Sequence, residues 1–283
     1  MVRLKKMEMS HMDGLMTLKD SEGWNQLEKD WVLLMEYAEA VNLVAVLHKR
    51  ILGSVTALNY ANTVAWIGMM LVDKDFRGRG IGKQLMLAAI DKLENCASIK
   101  LDATPAGRPV YLKLGFKDEY TLYRMTHPAA REIARADHSP AAMKMRLADL
   151  ADVAAFDREV FGADRTDLIA RLHKSFPDLA WTIRENNKIA GFCLGRPGQN
   201  YTQIGPVSAS SHEHAEALMV SAVNEVPGRA LVVDIPAHKT STRQWLEAAG
   251  FNLLRPFERM YLKENPHPGR IADVYLIAGP ELG

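Results

Sequence analysis

A repeat constrains this chain more than any other feature of it. Six short landmarks recur in the same order in the two halves: Arg3-Leu4 with Arg146-Leu147, Ile51-Leu52-Gly53 with Ile189-Ala190-Gly191, Ile67-Gly68 with Ile204-Gly205, Asp102 with Asp234, Gly115-Phe116 with Gly250-Phe251, and Arg124-Met125 with Arg259-Met260. The offsets are 143, 138, 137, 132, 135 and 135 residues, nearly constant where chance matches of short words would scatter. Each half must therefore fold as a version of one unit, and 283 residues leave room for two units at ~150 residues per domain. Between them, the stretch from Thr126 to Pro140 interrupts the hydrophobic pattern with two prolines and polar residues. The expected division is a first domain at 1–126, a linker at 127–140 and a second domain at 141–283.

Within the first copy, the segment from Ala65 to Val72 is apolar throughout, as a strand covered on both faces would be. After a polar turn, Ile81, Leu85, Met86, Ala89, Ile90 and Leu93 fall on one face of a helix, and Ser98 to Asp102 reads as a further short strand. The second copy repeats this strand–helix–strand unit with Thr202 to Val207, then Ala215, Leu218, Met219, Ala222, Val223 and Val226, then Leu231 to Asp234. Both halves are α/β, and each crossover is expected to be right-handed.

Composition removes several function classes. Thirty-five Lys and Arg against 34 Asp and Glu give a net charge of +1, so the electrostatic footprint of a partner such as nucleic acid or an anionic membrane is missing. The apolar runs fall short of the ~18 residues a membrane span needs, and nothing at the start reads as a secretion signal. Only Cys96 and Cys193 occur, far apart, so neither a disulfide framework nor a Cys-rich metal site is expected, and a reducing, cytoplasmic location is.

The segment Val72-Asp73-Lys74-Asp75-Phe76-Arg77-Gly78-Arg79-Gly80-Ile81-Gly82-Lys83 lies between the buried strand and the helix. Its glycines leave backbone N–H groups uncovered at a helix N-terminus, where unpaired donors and the helix dipole favour an anion such as phosphate. Spacing excludes two phosphate motifs. A dinucleotide fingerprint counted from Gly78 needs glycine where Lys83 stands, and a Walker A loop ending at Gly82-Lys83 needs glycine at Arg77 and Ser or Thr at Gln84.

The segment resembles instead the acetyl-CoA signature of the GNAT superfamily of N-acetyltransferases, R-x-x-G-x-G, carried by Arg77, Gly80 and Gly82. Tyr111-Leu112-Lys113-Leu114-Gly115-Phe116 is similar to the Y-x-x-x-G-F element that closes that fold. Gly23-Trp24-Asn25, the run from Leu101 to Pro109, and Gly279-Pro280-Glu281-Leu282-Gly283 resemble more narrowly the YitH-type bacterial members with two repeats. The resemblance implies two GNAT-like domains, each a mixed, mostly antiparallel sheet around a central parallel strand–helix–strand unit. It also implies transfer of an acetyl group from acetyl-CoA to a primary amine, a small molecule, by direct attack.

The same resemblance distributes the roles. Gly78, Arg79, Gly80, Ile81, Gly82 and Lys83 would hold the pyrophosphate, with Arg77 and Arg79 as charged donors. Met70, Leu71 and Val72 would pair with the pantetheine arm and place an N–H at the thioester carbonyl. Tyr111 matches the tyrosine that protonates the departing sulfur, and Thr104 stands where relatives carry an asparagine toward the cofactor arm. Many relatives place a glutamate base on the strand before the glycine turn; Val64 to Val72 contains none, and Asp102 on the next strand is the nominee. Trp24 and Asn25 are the acceptor-site candidates. A cofactor-binding sensor without turnover, and an acetyltransferase of protein lysines or N-termini, are the rival readings.

The second copy has Val207-Ser208-Ala209-Ser210-Ser211-His212-Glu213-His214 in place of the glycines. Ser210 and Glu213 have capping-box spacing, which would satisfy the N–H groups and put a carboxylate where a pyrophosphate would go. No CoA site is expected in this half, and His212 with His214 lacks a third metal ligand. Its expected use is to cover the open edge or acceptor mouth of the first copy, supplying Asp234 or residues near the C-terminus to the acceptor pocket, or to give purely structural support.

Overall fold

The computed structural model describes residues 1–135 and 139–283. The first half runs β1 (Arg3–Lys6), α1 (Met12–Ser21), α2 (Glu28–Glu36), β2 (Val41–Leu47), β3 (Arg50–Tyr60), β4 (Val64–Val72), α3 (Ile81–Lys92), β5 (Ser98–Ala103), α4 (Arg108–Leu112) and β6 (Lys117–His127). The second half repeats that order with β7 (Met143–Lys144), α5 (Leu150–Phe161), α6 (Thr166–Ser175), β8 (Trp181–Glu185), β9 (Lys188–Arg196), β10 (Thr202–Ala209), α7 (His212–Glu225), β11 (Leu231–Pro236), α8 (Thr240–Ala248) and β12 (Asn252–Lys263), and adds β13 (Val274–Leu276). One landmark shifts. Arg146-Leu147 opens the turn after β7 and is not the counterpart of Arg3-Leu4 in β1; Leu147 corresponds to Met9, which restores the offset to 138.

The apolar periodicities become packed elements. Ile81, Leu85, Met86, Ala89 and Leu93 of the α3 stripe are buried, while Ile90 is only half-buried; the corresponding stripe on α7 is buried along its whole length. Helix α3 packs against β2, β3 and β4, and α7 against β8, β9 and β10. A third cluster joins the halves, with Trp31, Leu34, Tyr60 and Trp66 of the first packed with Leu168, Leu172, Phe192 and Leu194 of the second. At ~25 cal/mol per Å2 of apolar surface, such side chains contribute about 1.5–3 kcal/mol each, so this shared core is a main stabiliser of the assembly.

The two repeats do not own separate sheets. Strand order in the sheet is β1-β2-β3-β4-β5-β12-β6-β11-β10-β9-β8-β7, with β13 beside β10. Each half gives its last long strand to the other: β12 pairs with β5 over Ser98 to Ala103, and β6 pairs with β11 over Leu231 to Pro236. The expected border at 126/141 therefore divides the sequence but not the sheet. Within the linker, Ala130 exchanges backbone hydrogen bonds with Gly228 and Arg229, and Ile133 with the Asn224 side chain. Residues 136–138 of that linker lie outside the described residues.

Two buried ion pairs mark the exchange. Arg259 on β12 clasps Asp102 on β5 with both fork nitrogens (2.9 and 3.0 Å), and Arg124 on β6 clasps Asp234 on β11 in the same way (2.8 and 2.8 Å). Such a pair cancels its own desolvation at best, but breaking it strands a buried charge. Among the described residues no helix is long and apolar enough to cross a membrane.

Arg259→Met is expected to cost about 3–5 kcal/mol in urea unfolding because it leaves the Asp102 carboxylate buried and alone. The double variant Asp102→Leu/Arg259→Met should recover most of that loss. Equal stability of the single and double variants would refute the pairing account.

Candidate functional site

Strand β4 starts as an ordinary partner of β5. The two run parallel from Val64 opposite Ser98 to Ile67 opposite Leu101, and the register stops there. On its other edge β4 bulges, since Thr56 faces Gly68 and Ser54 faces Leu71, so that Met69 and Met70 together oppose Val55. Met69 takes φ 46° to do this, and the Ser54 hydroxyl donates to its carbonyl at 2.8 Å. A bulge bends its strand and re-aims the residues beyond it. Past Gly68 the sheet is consequently split, and the main-chain groups that β4 would offer β5 are released.

The groove in this split is lined by Met70, Leu71, Val72, Arg77, Gly82, Thr104 and Tyr111 among others. At the end of the groove nearest α3, Gly78 and Gly80 have φ of 74° and 80°, and a Cβ at either would meet nothing within 4 Å. Backbone conformation, not crowding, is what demands glycine there. Helix α3 starts after Gly80 without a side-chain cap, and its first hydrogen bond is from the Gln84 N–H to the Gly80 carbonyl at 3.0 Å. The N–H groups of Ile81, Gly82 and Lys83 thus have no acceptor among the described residues, and an anion would satisfy them. Arg77 spans from the Val72 carbonyl (3.2 Å) to Glu22 (2.6 Å), while the Arg79 guanidinium lies over the Phe76 ring, 4.9 Å from its centre.

A more enclosed cavity adjoins the groove, and Trp24, Met70, Thr104, Tyr111 and Arg255 line both spaces. Tyr111 stands at that junction, with its ring 5.9 Å from Phe116 and its hydroxyl without a hydrogen-bond partner among the described residues. Burial pushes that hydroxyl up to about 12, so it stays protonated at neutral pH and can donate. Thr104 accepts from the Gly107 N–H at 3.1 Å and shapes the loop before α4.

Two site expectations are corrected. Asp102 reaches the cavity wall, but Arg259 takes both of its oxygens and its side chain is fully buried. Burial raises its carboxyl against the pull of that guanidinium. A carboxylate closed in this way ties the strands together and is not a free base. Asn25 lines neither space: its side chain accepts from the N–H groups of Asn200 and Tyr201 (2.9 Å each) and donates to the Tyr201 carbonyl (3.0 Å). It anchors a loop of the second half. Trp24 beside it does line the cavity.

The expected contribution from residues near the C-terminus is carried by Glu281, which the sequence did not single out. Residues 279–283 fold back over the middle of β4, where a Cβ on Gly68 would stand 2.6 Å from the Glu281 Cα. Trp66 donates to the Pro280 carbonyl (3.0 Å) and the Tyr60 hydroxyl to the Leu282 carbonyl (2.8 Å). Glu281 Oε1 accepts from Arg196 and from Gln26, the carboxyl is also bonded by its own main-chain N–H, and no other residue donates to Oε2 among the described residues. Arg196 holds the carboxyl below its ordinary range against the opposing effect of burial. The strand that lacks a carboxylate thus receives one from 213 positions later in the sequence. Gly68 in an otherwise large-residue strand was the visible signal.

The second half closes the equivalent place. Strands β10 and β11 pair only at Thr202 and Gln203, and β13 enters the gap beyond, pairing Val207 and Ser208 of β10 while the Ile277 N–H donates to the Asp234 carbonyl at 3.0 Å. Helix α7 is capped by Ser211, whose hydroxyl accepts from the His214 N–H at 3.2 Å; the cap lies one residue beyond the expected Ser210. Ser210 contacts His214 Nδ1 instead, and His212 stacks on Tyr275. Asp234 is sealed with Arg124 and does not line the enclosed cavity. Among the described residues no group of three His, Cys, Asp or Glu could hold a metal ion.

Comparison with known proteins places both halves in one family. The profile of the acetyltransferase (GNAT) family matches residues 9–116, and that of an acetyltransferase (GNAT) domain matches residues 153–276. An uncharacterised N-acetyltransferase, YitH of Bacillus subtilis, is 26% identical over 88% of this chain and 87% of its own length. A holothin acyltransferase of a Pseudoalteromonas species is 24% identical over 81% of this chain and 77% of its own. Among solved structures, an acetyltransferase described from Pyrococcus horikoshii superposes with a TM-score of 0.83 at 21% identity, covering 100% of this chain and 96% of that one, a likeness of fold.

Gly80→Glu should abolish binding of coenzyme A in titration calorimetry, since the carboxylate strains the turn and repels the diphosphate. Its unfolding transition should stay within a few degrees of the parent. A normal dissociation constant would remove the glycine turn from the site.

Proposed function

Since the chain belongs to the GNAT superfamily of N-acetyltransferases, with one such domain in each half, we propose that it transfers an acetyl group from acetyl-CoA to a primary amine of a small molecule. The carrying observation is the junction: a groove that begins at uncapped helix N–H groups meets an enclosed cavity at Tyr111. Acetyl-CoA supplies the acetyl group already activated as a thioester. Ile81, Gly82 and Lys83 would hold its diphosphate through their main-chain N–H groups, with Arg77 and Arg79 beside them. The released edge of β4 from Met70 to Val72 would orient the pantetheine arm and polarise the carbonyl.

The transfer forms one C–N bond and breaks one C–S bond; the amine gives up a proton and the sulfur takes one. Tyr111 holds the proton for the sulfur. With both oxygens of Asp102 engaged, the Glu281 carboxyl is the remaining acidic group on the cavity wall that could take the amine's proton. Direct attack is favoured over an acyl-cysteine because Cys96 and Cys193 are buried, line neither space, and have thiols pushed above their ordinary range by burial. The first half carries the cofactor in this reading, because β13 and the Ser211 cap occupy the equivalent places in the second. The cover formed by Pro280 and Glu281 supports a small acceptor over a lysine of a folded protein.

Incubation with acetyl-CoA and a panel of amines, amino acids and polyamines should release free thiol in an amine-dependent way. Thermal stabilisation by acetyl-CoA with no thiol released would overturn turnover in favour of a sensor. Tyr111→Phe should lower kcat by roughly 10²–10⁴-fold, the range for a lost general acid, with coenzyme A affinity within about twofold of the parent. An unaltered rate would take Tyr111 out of the mechanism.

A further inference from the structure

The cavity wall carries four charged groups, and their pairing divides them. Asp102 is neutralised by Arg259 and Arg124 by Asp234, each through two hydrogen bonds. Arg255 and Glu281 are left. Arg255 follows the β12 bulge at Leu254, which falls between the register pairs Leu253↔Met125 and Arg255↔Arg124, and is brought to the first half's site by the strand exchange. Its guanidinium lies over the Phe257 ring, 4.9 Å from the centre; it has no salt-bridge partner among the described residues, and its buried Nε has no hydrogen-bond partner. Burial and the neighbouring Arg124 both work against its charge. A half-buried cation beside another cation is costly until an anion reaches it.

Glu281 has the opposite imbalance. Arg196 is shared between two carboxylates, Asp30 and Glu281, so that buried group keeps a net charge of −1, and Oε2 receives no hydrogen bond from another residue among those described. The cavity thus has one unpaired positive wall and one unpaired negative wall, both built by residues from the second half.

We infer that the acceptor is an amine that also carries a carboxylate, of the amino-acid class, with its carboxylate on Arg255 and its ammonium on Glu281. This rests on the acetyltransferase reading above and narrows its substrate. A diphosphate contact is the competing use of Arg255, which borders the groove as well as the cavity; its place over the ring of Phe257, which lines the cavity and not the groove, argues for the acceptor.

The test compares glycine, β-alanine and γ-aminobutyrate with methylamine, ethylamine and propylamine, which lack only the carboxylate. Thiol release is monitored in the full-length protein, and binding of each amine to the coenzyme A complex by calorimetry. The best carboxylated acceptor should exceed its decarboxylated counterpart in kcat/KM by about 10²-fold, the scale for a charged partner left unpaired. Arg255→Met should bring that ratio to within about threefold and leave coenzyme A affinity unchanged, and Arg255→Lys should restore part of it. Glu281→Gln should weaken binding of the carboxylated amines while leaving coenzyme A binding unchanged. A parent ratio near one overturns the inference, as does an Arg255→Met variant that loses coenzyme A affinity but keeps acceptor selectivity. If no amine yields thiol yet carboxylated amines bind through Arg255, recognition stands and the transferase reading falls; if none binds, both fall.

Discussion

Two guanidinium–carboxylate pairs hold the register on which everything else in this molecule depends. Asp102 with Arg259 and Asp234 with Arg124 each join a strand of one half to the strand the other half inserts beside it. Their net contribution to stability is small, because four charges had to leave water. Their value lies in excluding alternatives: a one-residue slip of β12 would turn Arg259 to the opposite face and leave buried charges without partners. With the register set, Arg255 and Phe257 of β12 fall on the wall of a cavity whose floor belongs to the first half.

One unit is put to two uses, and the difference is local. In the first half a bulge at Met69 splits β4 from β5, and glycines before α3 leave donors bare. In the second half the equivalent split receives β13 and the equivalent helix is capped by Ser211. The second half, whose own split is filled by β13, also covers the groove of the first, since the segment after β13 turns back across Gly68 and delivers Glu281.

Much of this was legible in the residues. The helix stripes, the buried strand before the turn and the glycines at 78 and 80 follow from periodicity and from backbone conformations that side chains resist. Asp102 and Asn25 misled because a carboxylate or an amide at the end of a strand or helix looks the same whether it faces a substrate or an arginine from 157 positions away. Nothing local distinguishes Arg255, half-buried and unpaired, from Arg259, fully enclosed. Glu281 was hidden for the same reason: its partners Gln26 and Arg196 are distant in sequence.

By itself the sequence determined that one α/β unit is built twice, which of the two keeps an uncapped glycine turn before its helix, and where each helix buries its face. Those properties depend on neighbours within a few turns of the chain, and spacing records them. Tertiary structure alone decided that the last strands are exchanged, that Asp102 is a strut, and that the cavity pairs one free guanidinium with one carboxylate. Charge pairing across more than a hundred residues depends on which strands lie side by side, and that is a property of the sheet, not of any segment within it.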